Sequence, residues 1–216
     1  MRHHLVRTAA GAGLFLAVAG CLATAAAASG PKPVLDADGV VACKFDAFST
    51  DRDPHGLNVR AGPGATYRVI ATLPPPKDDF ATEFSVTGAK DGWFRIDQAT
   101  VPDYIEDSDK SVFEGVGWVS GRYVGFSLET RELNSISWTT SPAVVDFSKK
   151  GPNGEDGGAD EFKLERVYDC RGFWVEVGGT YFGKHVRGWA WGICASQVTT
   201  CGGGWAMPED ELGPYD

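Results

Sequence analysis

Leu57-Asn58-Val59-Arg60-Ala61-Gly62-Pro63-Gly64 is the stretch on which the fold of this chain turns. Leu57 and Val59 alternate with Asn58 and Arg60, the period-two pattern of a half-buried strand. Ala61-Gly62-Pro63-Gly64 stops that strand, because proline has no N–H for a ladder and glycine permits a tight bend. A second apolar run follows at Val69-Ile70-Ala71-Thr72-Leu73, a third at Asp91-Gly92-Trp93-Phe94-Arg95-Ile96, and a fourth at Gly117-Trp118-Val119-Ser120-Gly121-Arg122-Tyr123-Val124. The 28 glycines, 12 prolines and seven tryptophans suit short strands joined by turns. The pattern predicts an all-β protein.

In that order the four segments resemble the bacterial SH3 (SH3b) domain, whose usual form is a strand like LNVRSGP, then VIxTL, then GWxxV, then GWVxxxYL. The resemblance implies an SH3-like barrel with a shallow groove, lined by the tryptophan of the GW strand and the tyrosine of the final turn. Trp93 and Tyr123 occupy those positions, and Arg60 and Trp118 complete the set of groove candidates. Aromatic faces stack on sugars, prolines or peptide backbones because they bury much area and carry a polar tip. The competing assignment makes Trp93, Trp118, Trp174 and Trp189 packing residues, since so small a barrel has little else to fill its interior.

From Gly125 the pattern begins again. Leu133-Asn134 echoes Leu57-Asn58, and Ala143-Val144-Val145-Asp146-Phe147 echoes the VIATL run. Trp174-Val175-Glu176-Val177 matches Trp93-Phe94-Arg95-Ile96, and Gly188-Trp189-Ala190 matches Gly117-Trp118-Val119. This is an internal repeat whose second copy is the more degenerate. It has Ser135 to Thr140 in place of the VRAGPG signature, and Cys194 where Tyr123 would stand. The expected architecture is two small SH3-like barrels in tandem, 41–126 and 127–201, after an export signal (1–28) and a linker (29–40), with a flexible tail at 202–216. Trp93 and Trp118 are 25 positions apart and Trp174 and Trp189 only 15. The difference assigns an acidic hairpin insertion to 98–116 of the first copy, read as a surface insertion that costs little loop-closure entropy. Asp36-Ala37-Asp38-Gly39 lacks the closing glutamate of a calcium loop and reads as a turn.

With 20 basic against 29 acidic residues the net charge is −9, and no Lys/Arg run makes the basic face that a nucleic-acid binder needs. Arg2 and Arg7 flank a short basic region, and Leu14 to Ala19 supply an apolar core too short to span a bilayer. Two cleavage sites compete: Val18-Ala19-Gly20-Cys21 resembles a lipobox, which would make Cys21 a lipidated first residue, and Ala25 to Ala28 offer an ordinary small-residue site. The protein is therefore expected in the periplasm or secreted, touching a membrane only through a lipid anchor on Cys21. Either cleavage leaves Cys43, Cys170, Cys194 and Cys201, an even set that in an exported chain predicts two disulfides. Hairpin arithmetic about a turn at Phe182-Gly183-Lys184 favours Cys170 to Cys194, with Cys170 to Cys201 as the competing connectivity.

Tyr168-Asp169-Cys170-Arg171-Gly172-Phe173 resembles the DCSGF nucleophile motif of NlpC/P60 cell-wall peptidases. In that family the cysteine opens a helix, whereas here an alternating strand follows, and His185 is the one downstream histidine. His55, beside a proline and a glycine, reads as a solvated loop residue, and no metal or cofactor is implied. The function expected from the resemblance is non-catalytic binding in the bacterial envelope, to peptidoglycan or its stem peptides or to a protein partner. A scaffold with no small ligand is the alternative, and the cysteine peptidase a remote third.

Overall fold

The computed structural model describes residues 33–77, 80–103, 108–137 and 141–197. The fold is all-β. Among the described residues fourteen strands form: β1 (Val41–Ser49), β2 (Leu57–Arg60), β3 (Val69–Leu73), β4 (Glu83–Lys90), β5 (Trp93–Val101), β6 (Lys110–Ser120), β7 (Val124–Gly125), β8 (Ser127–Leu128), β9 (Glu132–Asn134), β10 (Ala143–Asp146), β11 (Phe162–Arg171), β12 (Trp174–Tyr181), β13 (Lys184–Ala190) and β14 (Ile193–Cys194). Helix is confined to two single 3-10 turns, Gly121–Tyr123 and Ala159–Glu161, among the described residues. No described helix is long and apolar enough to cross a membrane.

The first sheet runs β3-β2-β6-β5-β4-β1-β7 and the second β10-β9-β13-β12-β11, while β8 and β14 pair as a third. The sheets curl, as SH3-like barrels do. Read in chain order, the second sheet repeats the first five strands of the first one for one. A hairpin (β2–β3, then β9–β10) lays its first strand against the last strand of a three-stranded meander (β4–β5–β6, then β11–β12–β13). Both crossings sit on the tryptophan of a GW pair, Arg60 opposite Trp118 and Asn134 opposite Trp189. The short pairs β1–β7 and β8–β14 occupy the same place in each half.

The meander turns are tight because their residues take positive φ: Asp91 and Gly92 at 53° and 75°, Phe182 and Gly183 at 44° and 74°. Two consecutive residues of this kind give a turn whose twist matches its strands. Phenylalanine is an unusual occupant of that region. Its ring lies 4.5 Å from that of Tyr181, so packing outweighs the local cost.

Three expectations from the sequence are corrected here. The 98–116 hairpin insertion is not a surface loop at its base: β5 runs on to Val101 and β6 starts at Lys110, pairing Gln98 with Glu114, Ala99 with Phe113 and Val101 with Lys110. Ala99 is buried and Phe113 packs on the core, so its base is structural. Second, Leu133-Asn134 corresponds to Val59-Arg60, two residues on from the expected match. Gly117 packs on Val59 and Gly188 on Leu133, which fixes the register. Third, Cys194 does not take the place of Tyr123. It lies in a strand opposite Ser127, whereas Tyr123 closes a 3-10 turn.

Inward-facing residues of both sheets merge into one buried cluster that includes Phe45, Phe94, Val119 and Phe126 together with Leu133, Val167, Cys170 and Val175. Phe126, between β7 and β8, meets Phe45 edge to face at 6.1 Å. Within this cluster a disulfide joins Cys43 of β1 to Cys170 of β11, across 127 positions of sequence. Backbone bonds flank it, Gly172 N–H to the Ala42 carbonyl at 2.9 Å and Lys44 N–H to the Gly172 carbonyl at 2.8 Å. The expected Cys170–Cys194 bridge is thus overturned, and the alternative Cys170–Cys201 with it. The hairpin register itself is close to expectation, with Val175 opposite Ala190 and Tyr181 opposite Lys184. The hairpin's index sum does not carry back to Cys170. The chain bends at Gly172, φ 57°, and Cys170 belongs to the preceding strand, opposite Val175. Cys194 is disulfide-bonded too, to a sulfur other than that of Cys170. Cys21 and Cys201 lie outside the described residues, as do the signal segment and the tail.

Candidate ligand-binding face

The alternation of β2, β5 and β6 decides which side chains face out. Val59, Phe94 and Val119 are buried inward, so Arg60, Trp93, Arg95 and Trp118 point to the opposite face. Arg60 lies opposite Trp118, and Trp118 opposite Arg95. Residues opposite one another across a ladder share a face. Three of the four groove candidates, Arg60, Trp93 and Trp118, therefore lie on one outer surface.

Tyr123 stands apart from them, in the 3-10 turn after β6, half-buried against the core. Trp93 is half-buried at the head of β5, opposite Ser120, whose hydroxyl accepts the Arg122 N–H that begins the turn. Strand β11 crosses this end of the first half. A methyl group on Gly121 would overlap the Val167 carbonyl oxygen, and one on Gly92 would lie 3.2 Å from the Arg166 guanidinium. The Trp93–Tyr123 region is therefore a junction between the halves.

The open part of the face lies elsewhere, over β3, β2 and β6. Trp118 is its floor, 6% exposed. Around it stand Val116 (66% exposed), Val69 (43%), opposite Arg60, and Tyr67 (47%). Tyr67 lies against the glycine turn: a methyl on Gly62 would overlap the ring, and one on Gly64 would touch its other edge at 3.2 Å. Arg60 donates from Nη1 to the Tyr67 carbonyl at 2.8 Å, fixing the turn that carries the ring. Tyr67, Val69 and Val116 were missed in the sequence. The usable signal was a tyrosine three residues after Gly-Pro-Gly, beside an arginine that ends the preceding strand.

The equivalent face of the second half is closed among the described residues. Trp174 and Trp189 are buried with Trp191 in a small cluster of their own, with the Trp174 and Trp191 rings 6.4 Å apart. The Arg171 guanidinium lies 4.8 Å over Trp189 and donates to the Ser137 hydroxyl at 3.3 Å. Arg187 sits 3.8 Å over Tyr168 and holds Glu176 through two bonds of 2.9 Å. None of these four described aromatic side chains is exposed.

The Cys170 sulfur is bound in the bridge to Cys43 and so is not held as a free thiol. His55 is exposed, its Nδ1 2.9 Å from the Asp53 carboxylate, within its own loop. No group of His, Cys, Asp and Glu side chains suited to a metal ion occurs among the described residues.

The fold is all-β, with curled sheets like those of small SH3-like barrels. Residues 55–125 match the family model described as the bacterial SH3 domain, about a third of the chain, from the loop before β2 to the end of β7. The match covers Arg60, Tyr67, Trp93, Val116, Trp118 and Tyr123. No curated protein and no solved structure matches the chain.

Proposed function

We propose that this protein is a non-catalytic binding module of the bacterial cell envelope, built from two SH3b-like units in tandem, which recognises peptidoglycan, its stem peptides or an envelope protein. The observation that carries this reading is the open face of Tyr67, Val69, Val116 and Arg60, inside the segment that matches the bacterial SH3 family. Bacterial SH3 domains are cell-wall binding modules, and the resemblance brings that role with it. The repeated strand order supports counting 127–201 as a second unit. A disulfide from β1 to β11 supports an oxidising compartment outside the cytoplasm. With its sulfur in that bridge, Cys170 reads as a structural residue and not as a peptidase nucleophile.

The scaffold reading has its own support in the packing of β11 across the Trp93–Tyr123 end. Sedimentation of the mature protein with purified sacculi separates the two. Binding that weakens with Trp93→Ala or Tyr123→Ala, while the circular dichroism spectrum is unchanged, places the groove where the resemblance puts it. Val119→Ala is the folding control, buried on the inward face. If Trp93→Ala unfolds the protein as badly as Val119→Ala, Trp93 is a packing residue. If the wild-type protein stays in the supernatant, the scaffold reading replaces this one.

A further inference from the structure

Apart from the binding face, we propose that Asn153-Gly154 is a self-modification site, an asparagine that becomes aspartate or isoaspartate without an enzyme, at a rate set by the Glu155 carboxylate that holds its amide. The pair lies in the glycine-rich loop between β10 and β11, and Asn153, Gly154 and Glu155 are exposed to water. Gly154 takes φ 88°, and a Cβ built on it would meet nothing within 4 Å. The space beside its nitrogen is open, and glycine has no side chain to close it. The chemistry is an intramolecular substitution. The Gly154 nitrogen loses its proton to hydroxide and bonds to Asn153 Cγ. The Cγ–Nδ2 bond breaks, and Nδ2 takes a proton back from water and leaves as ammonia, which leaves a succinimide ring. Water then opens the ring at either carbonyl, giving aspartate in the restored main chain or isoaspartate with the chain running through Cγ. Solvent supplies both the base and the water.

Hydrogen bonds hold this step back while the loop is closed. The Gly154 N–H is donated to the Gly151 carbonyl at 3.0 Å, and the Gly151 N–H to the Glu155 carbonyl at 2.9 Å. The Glu155 carboxylate accepts from Asn153 Nδ2 at 2.8 Å and from the Asn153 N–H at 2.9 Å. The Asn153 amide is the first cause that keeps the Glu155 carboxyl below its ordinary range, so the ionised form is the one that clamps. Attack therefore waits for local opening, and Glu155 sets how often the loop opens. The product cannot be clamped again. A carboxylate at position 153 would stand where Nδ2 donated, against a second negative charge. Gly151 lies on the Phe182 ring: a methyl on it would fall 2.8 Å from two ring carbons. Phe182 in turn lies 4.5 Å from Tyr181, whose hydroxyl is buried with no hydrogen-bond partner and whose ring meets Phe147 edge to face at 5.2 Å. Conversion thus frees the loop that covers these rings, at the turn between β12 and β13.

The full mature protein, held in mildly alkaline buffer and sampled over weeks, is digested and mapped by mass spectrometry. The peptide carrying Asn153 is expected to gain about one dalton, the mass of an amide turned to a carboxyl, with an isoaspartate share detected by enzymatic methyl transfer. The peptides carrying Asn58 and Asn134, followed by Val59 and Ser135, are the internal controls and are expected to stay unchanged. Glu155→Ala is expected to convert about tenfold faster, the size of a lost hydrogen bond to a charged group. Glu155 is exposed, so its substitution leaves the fold intact, checked by circular dichroism. Asn153→Asp is expected to speed hydrogen exchange at the Gly151 N–H at least about tenfold by the same measure, with Val175 in the core unaffected. Absence of conversion from both wild type and Glu155→Ala overturns the inference. Equal rates in the two also overturn it, because Glu155 would then control nothing. Exchange at Gly151 unchanged by Asn153→Asp overturns the release of the loop. None of these results bears on sedimentation with sacculi, so the binding reading stands or falls separately.

Discussion

Asp169 illustrates how the environment of one residue sets its behaviour. Burial raises its carboxyl above the ordinary range, and Glu176 adds to the effect; the Cys170 N–H, Arg171 and Arg187 offset it only in part. A folded-state pKa above the unfolded value means that the folded protein holds this proton more tightly. Ionised Asp169 therefore costs stability at neutral pH, and the cost disappears as pH falls through the folded pKa toward the unfolded value near 3.9. Asp169→Asn keeps the acceptor for Cys170 N–H, 2.9 Å away. It should raise Tm at pH 7 and leave it unchanged near pH 3. A lower Tm at pH 7 would mean that the charge is compensated by Arg171 and Arg187. None of this was legible in the sequence, where Asp169 reads as part of a peptidase-like motif. The inward positions were legible: Val59 and Val119 are read from strict alternation, and both are fully buried. Alternation reports which face a residue takes, but not what the outer face meets. That is why Trp118 and Trp189 lie outward and are still buried, while Tyr67 escaped notice.

The β5–β6 hairpin shows what element lengths do and do not reveal. The spacing of tryptophans exposed about ten additional residues, but spacing alone cannot distinguish a loop from a longer ladder. The chain chose the ladder, with register shifts at Ile96–Gln98 and Ala99–Thr100 that bend it. Bulges of this kind absorb an unpaired residue and increase the local twist. The hairpin then has two parts. Its base, Ala99 and Phe113, contributes to the core, whereas Val101 and Lys110, where the described ladder ends, do not belong to that cluster. Replacing residues 103–109 with an Asn-Gly turn, which keeps the buried Pro102 and the Val101–Lys110 pair, should leave the denaturation midpoint nearly unchanged. Removing 99–113 should destabilise by about 2–4 kcal/mol, the range for losing buried apolar side chains. Equal loss from the two deletions, in urea titrations with matched m-values, would mean that the tip also makes stabilising contacts. The Cys170–Cys194 pairing failed for a different reason. Gly172 introduces a bend inside an apolar run, and a period-two pattern is indifferent to a reversal that preserves which face each residue takes.

At the scale of the whole molecule, the sequence divides more cleanly than the packing does. The sheets change at Phe126, where the repeat predicted a boundary, yet the described core is one cluster. Several independent contacts cross the line. Phe126 meets Phe45, Gly121 packs on the backbone of Val167, Cys43 is bonded to Cys170, and Gln197 bonds both backbone groups of Ala81 at 2.8 and 3.0 Å. Such contacts between distant positions leave no periodic trace, so no reading of local pattern finds them. They imply that the two described halves, 41–126 and 127–197, do not behave as two independent folding units. Each half produced alone should be substantially less stable than within the full chain, because separation exposes Phe45, Val167 and their neighbours to water. In the full chain both halves should melt in a single transition by near- and far-ultraviolet circular dichroism. Cys43→Ala with Cys170→Ala removes a closure of more than a hundred residues, worth roughly 4–5 kcal/mol on the chain-entropy model. Gly121→Ala should act in the same direction by about 1–3 kcal/mol, through overlap with the Val167 carbonyl. If the junction is what joins the halves, either change should split the single transition into two. One transition merely shifted to lower temperature would show that the shared core around Phe126 is sufficient. Two transitions in the unmodified protein would show instead that the halves fold separately and that the bridge merely tethers them.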